Sequence, residues 1–337
     1  MKRKTVLFLD NTHPKAYDSQ TLQLQAIGGT EASVVKTAQI LSSHFNVVVA
    51  QKYRIEEQRE SEFLAFIPKF AIQSVAADYV IVLRKYPELK PMRRYFPKAK
   101  LFLWLHTYKN TEYAFKKKGL AKLDCTIICN SKTHQQHTDY LLNHSKLAKT
   151  IGIFTKPTKV SFCYNPVQQP QQQNSKRDTN KLLYFSSPNK GLKQVLHCFA
   201  KISQNINTLH LYIANPGYKQ ENNLHNAKNI SILGSLPHAK MMQHVANSLC
   251  VFYPQDTFAE TFGLIYAEAN AYGTPVLAHD IGAAKEILHP NNPLIDAHNQ
   301  HLIEKVITSW QKQAPAISYN PQFSAPAITK QWCSLFG

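Results

Sequence analysis

Short apolar runs recur along the whole chain with helix-forming segments between them, and this alternation constrains the fold more than any other feature. In the first half they read TVLFLD, NVVVAQ, DYVIVL, KLFLWLH and CTIICN; in the second, KLLYFS, LHLYIA, ISILG, CVFYP and PVLAH. Strands that alternate with helices make parallel sheets with helical crossovers. At 337 residues the chain has room for two such domains. Between the halves lies NPVQQPQQQNSKRDTNK (Asn165 to Lys181), rich in glutamine and proline and without apolar periodicity, a linker or surface loop. The expected architecture is therefore α/β: two doubly wound, Rossmann-like domains with a cleft between them. The first spans residues 1–165, the linker 166–181 and the second 182–320. Ligands are expected in the cleft, at the carboxyl ends of the strands.

A hydrophobic content of 44% with 18% charged residues describes a globular chain and excludes intrinsic disorder. No segment approaches the length of a transmembrane helix, and MKRKTVLFLDNTHP reads as a first strand, not a leader, so a cytoplasmic protein is expected. The six cysteines include no CxxC pair and fit reduced, buried thiols. The charge is unusual: 39 Lys+Arg against 21 Asp+Glu, a formal +18. Such a balance points to an anionic partner, or to solvated basic surface. Two basic stretches stand close together, KYPELKPMRRYFPKAK (Lys85 to Lys100) and FKKKGLAK (Phe115 to Lys122).

The stretch FAETFGLIYAEANAYGTPV (Phe258 to Val276) carries Glu260 and Glu268 in an otherwise apolar, helix-forming run ended by Gly273-Thr-Pro275. The helical neighbours of Glu268 are Leu264, Ile265, Ala271 and Tyr272, so its carboxylate needs donors from elsewhere. Glu260 precedes the helix, at an N-terminus suited to negative charge or to phosphate. Two readings stand: Glu260 caps the helix and Glu268 pairs with a basic side chain, or both face a ligand.

Two other loops have phosphate-binding character. Gly28-Gly29 lets the backbone approach a ligand ahead of an amphipathic helix, or makes a tight turn; it matches neither GxGxxG nor a P-loop. Ser186-Ser187-Pro188-Asn189-Lys190-Gly191 leads from a strand into a helix with hydroxyls and a lysine, or forms a Ser-Pro turn with an exposed lysine. A diphosphate between loops of the two domains accounts for both. His106 ends a strand and is structural or functional on equal terms. His134 and His137 have ligand spacing but no cysteine or carboxylate companions, and read as a solvated helix face.

Together these segments resemble the family 4 glycosyltransferases, retaining enzymes of the GT-B fold. The likeness rests on Glu260 and Glu268 with seven residues between them, on IGAAKEIL (Ile281 to Leu288), on Gly28-Gly29, on LWLH ending in His106, and on NKGL with Lys190. The resemblance implies that Glu268 accepts hydrogen bonds from nucleotide ribose hydroxyls and that Glu260 lies by the transferred sugar. It also implies that Ser186, Ser187 and the backbone of Phe262, Gly263 and Leu264 meet sugar and diphosphate, while Lys190 neutralises the leaving diphosphate and His106 touches sugar or acceptor. The segment 321–337, with Trp332, is similar to the family's last helix, which returns to the first domain. One departure stands out: where many members carry an arginine before the lysine-glycine pair, this chain has Phe185-Ser186-Ser187.

The expected function is transfer of a hexose, with retention, from a UDP- or GDP-sugar to a glycan or lipid-linked acceptor. No cofactor is expected. The chain has no Asp-x-Asp, so no metal site is expected either. The basic runs suggest peripheral contact with an anionic membrane. No specific nucleic acid is expected, because stacking aromatics in a nucleic-acid motif are absent. The alternative is a degenerate GT-B protein that binds anionic glycan or nucleic acid without catalysis.

Overall fold

The computed structural model describes residues 3–152, 155–170, 176–214 and 229–337. The chain divides into two compact units. One comprises Met1–Ser19, Thr30–Pro166 and Ala325–Gly337; the other comprises Gln20–Gly29 and Val167–Ser324.

The first unit is built on an eight-stranded sheet. Its strands are β1 (Thr5–Asp10), β2 (Asn46–Gln51), β3 (Gln58–Ser61), β4 (Leu64–Pro68), β5 (Tyr79–Leu83), β6 (Lys100–Trp104), β7 (Cys125–Cys129) and β8 (Val160–Phe162). They run in the order β3-β4-β2-β1-β5-β6-β7-β8, and β3 alone is antiparallel to its neighbour. Val6, Leu7, Phe8 and Leu9 of β1 are fully buried, as expected of a central strand covered on both faces. The strand order reverses between β1 and β5, the place where an open α/β sheet leaves a crevice at its carboxyl edge.

The last helix, Ala325–Phe336, belongs to this unit. Trp332 is fully buried, edge-on to Phe8 at 5.9 Å and to Trp104 at 5.2 Å, and Phe336 stacks on Tyr79 at 4.2 Å. Offset and edge-to-face pairs of this kind add about 0.5–1.5 kcal/mol each beyond the area they bury. Lys100 closes the arrangement with a hydrogen bond to the Phe336 carbonyl.

The second unit has a five-stranded, all-parallel sheet of β9 (Asp178–Phe185), β10 (His210–Ala214), β11 (Ile230–Gly234), β12 (Ser248–Tyr253) and β13 (Val276–Ala278). Its order is β11-β10-β9-β12-β13, so the reversal falls between β9 and β12. Every residue of β12 is buried.

Some boundaries differ from those read in the sequence. Asp178 to Lys181, placed in the linker, form the start of β9, because Asp178 pairs with Ser248 of β12 and Lys181 with His210 of β10. Polar composition hid a strand end whose backbone is satisfied by its neighbours. Residues 171–175 of that linker lie outside the described residues. Gln20–Gly29 groups with the second unit although it sits early in the chain, and Pro321–Ser324 does so before the final helix begins.

The six cysteines are free thiols, five of them buried and Cys333 half-buried. Desolvation pushes the Cys129 thiol up to about 12 and the Cys198 thiol up to about 11. Among the described residues no helix is long and apolar enough to cross a membrane. Part of the basic charge is internal. Arg93 donates to the carbonyls of Leu123, Pro97 and Ala99, and Lys117 is buried with its ammonium 3.4 Å from the Ala148 carbonyl. Lys90, Arg94, Lys98, Lys116, Lys118 and Lys122 stay exposed, beside Phe115 at 58% and Tyr95 at 49% exposure.

Candidate active site

Adjacency of β9 and β12 brings the loops that follow them together. The loop after β9 contains Ser186 and Ser187, each 5% exposed, and turns through Gly191 into the helix Leu192–Asn205. Gly191 has φ +81°, and a Cβ there would lie 2.5 Å from Gln255 Cβ, so the turn requires glycine on two grounds. The turn is held from below by Tyr184, whose hydroxyl donates to the Ser187 carbonyl at 2.7 Å, and by the Lys190 N–H, which donates to the same oxygen at 2.8 Å.

The loop after β12 is organised by Gln255, 1% exposed. Its Oε1 accepts from the N–H groups of Thr257 (3.0 Å) and Phe258 (2.8 Å), and its Nε2 donates to the Phe258 carbonyl. Glu260, 6% exposed, is thereby delivered to the Lys190 ammonium, which donates to Oε1 at 2.9 Å and to Oε2 at 3.0 Å. The Tyr253 hydroxyl, at the end of β12, donates to Glu260 Oε1 at 3.2 Å. Burial, and next the Glu260 charge, hold the Tyr253 phenol well above its usual range, so it stays a donor. The Lys190 ammonium also lies 4.7 Å from the Phe258 ring centroid, within cation–π range.

Glu260 is thus no helix cap. The helix Leu264–Ala271 is preceded by Gly263 at φ +82°, without a side-chain cap, and a Cβ on Gly263 would meet the Tyr266 ring at 2.4 Å. Phe262 is buried against Phe323, ring centroids 5.0 Å apart. The backbone of Glu260 is pinned by the IGAAKEIL segment: Ala283 N–H donates to the Glu260 carbonyl at 2.9 Å, and Gly282, φ +62°, passes so close that a Cβ would lie 2.6 Å from that oxygen. Gly29, grouped with this unit, has room for no more than a tight contact: a Cβ would stand 3.2 Å from Leu264 Cδ1. Gly28 precedes it in the same segment.

Glu268 lies on the buried face of that helix, 7% exposed, with His238 Nε2 2.8 Å from its Oε1. His238 follows Leu236 and Pro237 in the loop after β11 and stands at the start of the helix His238–Ala246. The donor that the apolar neighbours of Glu268 lack is therefore supplied, in part, by a histidine 30 residues away in sequence. Sequence reasoning missed His238, Tyr253 and Gln255. Tyr253 and Gln255 flank Pro254 at a strand end and carried the sole hint; nothing local marks His238.

In the first unit, His106 follows β6. Asn130 receives the Trp104 indole N–H on Oδ1 at 2.6 Å, so its amide nitrogen, 3.2 Å from His106 Nδ1, is the donor of that contact. Nδ1 is then the acceptor and Nε2 carries the imidazole proton. Burial first, and then the charge of Arg84, hold the His106 imidazole well below its ordinary pKa, so it is neutral near pH 7. Arg84 follows β5 in a left-handed backbone conformation, φ +61°, uncommon for a side chain of its size. Its guanidinium contacts both oxygens of Asp10 at 3.2 Å and Glu31 Oε1 at 3.0 Å. Tyr17 adds a hydroxyl donated to Asp10 at 2.9 Å.

His134 and His137 do not form a solvated face: His134 is fully buried, accepts the Asn130 N–H on Nδ1 at 3.3 Å, and is depressed to about 3 by desolvation. The helix turns that residue toward the sheet, where the spacing alone could not place it. Among the described residues no group of three or more His, Cys, Asp or Glu side chains is arranged to hold a metal ion.

No curated protein matches the chain at a significant level. Solved structures do resemble it. Over 98% of both chains it superposes on Anabaena Alr3699/HepE in complex with UDP-glucose (17% identity, TM-score 0.68). It covers 99% of this chain and 98% of the sucrose-phosphate synthase from Thermosynechococcus elongatus (14% identity, TM-score 0.68). Against S. aureus TarM, solved with fondaparinux, α-GlcNAc-glycerol and UDP, 81% of this chain aligns at 16% identity and TM-score 0.61, and the chain spans 60% of TarM's length. At these identities the likeness shows the fold, which is GT-B, with two Rossmann-like units. Residues 168–320, which carry Lys190, Glu260 and Glu268, match the family model described as Glycosyl transferases group 1.

Proposed function

We propose that the protein is a retaining glycosyltransferase of family 4 that moves a hexose from a UDP- or GDP-sugar to a hydroxyl of a glycan or lipid-linked acceptor, without a metal ion. The observation that carries this reading is the Lys190–Glu260 pair, at 2.9 and 3.0 Å, set before the helix Leu264–Ala271 within the stretch that matches the group 1 model.

The chemistry follows from what each side chain offers. The donor diphosphate meets the Lys190 ammonium and the N–H groups of Phe262, Gly263 and Leu264, where helix-terminal amides favour negative charge. As the bond between the anomeric carbon and the diphosphate oxygen breaks, charge grows on the leaving group and Lys190 stabilises it. Ser186 and Ser187 supply hydroxyls where many relatives place an arginine. Glu260, oriented by Lys190 and Tyr253, accepts hydrogen bonds from the transferred sugar. Glu268, oriented by His238, accepts from the ribose hydroxyls, and hydrogen bonds to a carboxylate are worth about 1.5–3 kcal/mol. Gly28 and Gly29 leave space for close backbone approach to the donor. The acceptor oxygen bonds to the anomeric carbon on the face the diphosphate leaves, and its proton passes to a phosphate oxygen, which gives retention. Neutral His106, an N–H donor at Nε2, serves the sugar or the acceptor. The exposed lysines near Phe115 and Tyr95 suit an acceptor presented at an anionic membrane surface.

Incubation of UDP- and GDP-sugars with the protein, without acceptor and with EDTA, tests the reading. Release of one nucleoside diphosphate, abolished by Glu268→Ala, is expected. Absence of turnover with every donor, together with saturable binding of anionic glycan or RNA, would establish the degenerate binder instead.

A further inference from the structure

Behind the two loops that carry Lys190 and Glu260 lies a cavity of about 710 Å³ that the proposed reaction does not use. One wall is a face of the helix Leu192–Asn205 and the other is formed by Asp256, Thr257 and the segment Ala297 to Gln300. Asn189 and Gly191 line it, whereas Lys190 between them reaches Glu260 instead. The cavity is thus separate from the Lys190–Glu260 pair although it shares the same loop.

Its chemistry is basic. Lys193, His197 and Lys201 line it at successive four-residue steps of the helix, hence on one face. All three are exposed, and among the described residues none has a carboxylate within ion-pair distance. The acidic side chain in the wall, Asp256, is already engaged: its Oδ2 lies 2.8 Å from His298 Nε2, and that contact holds its carboxyl below the usual range. Between this basic row and the Asp256 loop stands Gln194. Its Oε1 accepts the Asp256 N–H at 3.0 Å, while its Nε2 is buried and has no hydrogen-bond partner. A buried amide donor left open is unfavourable for the folded chain.

We propose that this cavity binds a phosphate-bearing small molecule of sugar-phosphate size, with the phosphate on Lys193, His197 and Lys201 and a hydroxyl oxygen accepting from Gln194 Nε2. The volume falls within the range of small-molecule sites, roughly 300–1,000 Å³. Two lysines flanking an imidazole, with no carboxylate in ion-pair reach among the described residues, select an anion, and the amide donor selects an adjoining oxygen. An occupant touches both loops that position the Lys190–Glu260 pair, through Asn189 and Gly191 on one side and Asp256 and Thr257 on the other.

Calorimetric titration with glucose 6-phosphate, inorganic phosphate and glucose tests the site. The wild type is expected to bind both phosphates saturably and glucose not at all. In Lys193→Ala/Lys201→Ala the affinity for glucose 6-phosphate should fall at least tenfold. Both replaced side chains are exposed, so the fold is retained, as circular dichroism will show. Glu268→Ala, altered at the proposed nucleotide site, should bind glucose 6-phosphate as the wild type does. Failure of donor turnover alone would leave these results unchanged, so this site and the transferase reading fail separately. Absence of saturable binding, or equal affinity in the double variant, overturns the assignment.

Discussion

The two units solve one topological problem in different ways. Each reverses its strand order once, between β1 and β5 in the first and between β9 and β12 in the second, and each places a cation against carboxylates at that reversal. In the second unit the pair is one to one: the Lys190 side chain, 28% exposed, lies against the Glu260 side chain, 8% exposed. In the first, Arg84 serves two nearly inaccessible carboxylates, Asp10 and Glu31, at 1% and 5% exposure. A flexible ammonium at the surface of its pair can move to an incoming phosphate; a guanidinium clamped by two buried acids cannot leave without stranding charge. The Lys190 pair is suited to ligand exchange, the Arg84 cluster to holding a wall in place.

Arg84→Met breaks this comparison most severely. It strands two buried carboxylates, and removal of one partner from such a group costs about 3–5 kcal/mol; urea denaturation measures it. Lys190→Ala should show the converse pattern. Stability falls by less than about 2 kcal/mol, because Tyr253 still serves Glu260, while donor cleavage drops roughly 10²–10³-fold through loss of leaving-group stabilisation. Equal stability losses in the two variants would erase the distinction drawn between the units.

Much of the second unit was legible because its chemistry is local in sequence. Glu260, Glu268, Lys190 and the glycines at 191 and 263 sit in short loops and one helix, and the need of Glu268 for a donor follows from its neighbours. Its donor, His238, was not legible, since it arrives from the next crossover and bears no pattern of its own. The first unit was harder to read. Arg84, Asp10 and Glu31 come from three separate elements, and the sequence gives no cue that an arginine after β5 turns into a left-handed conformation to reach them. The basic runs divide in a way their composition does not mark: Arg93, Lys100 and Lys117 spend donors on backbone carbonyls, while Lys90, Arg94, Lys98, Lys116, Lys118 and Lys122 stay exposed.

Gly263→Ala sharpens the comparison from the side of the backbone. Its φ of +82° and the Tyr266 ring 2.4 Å from a new Cβ predict a loss of about 1–3 kcal/mol. The loss should come with weaker nucleotide binding, because the same residue sets the helix N-terminus. Differential scanning calorimetry and a UDP titration report the two effects.

The remaining effect is on pH and belongs to the first unit. His106 and His134 are held neutral by burial, the latter depressed to about 3. The unfolded chain binds protons at these histidines once the pH falls below ~6.5, whereas the folded chain does not. Stability is therefore full above that pH and declines below it, by at most about 1.4 kcal/mol per pH unit for each histidine. His134→Gln should flatten the decline between about pH 6 and pH 4, whereas Lys190→Ala should not change it.

The diphosphate-binding role proposed for Lys190 is tested most directly by calorimetric binding of UDP, GDP and their nucleosides to the wild type and to Lys190→Ala. The expected result is saturable binding of one nucleoside diphosphate, weakened at least tenfold by the substitution, with the matching nucleoside unaffected. Equal affinity of the diphosphate for both proteins, or no binding to either, would contradict the account.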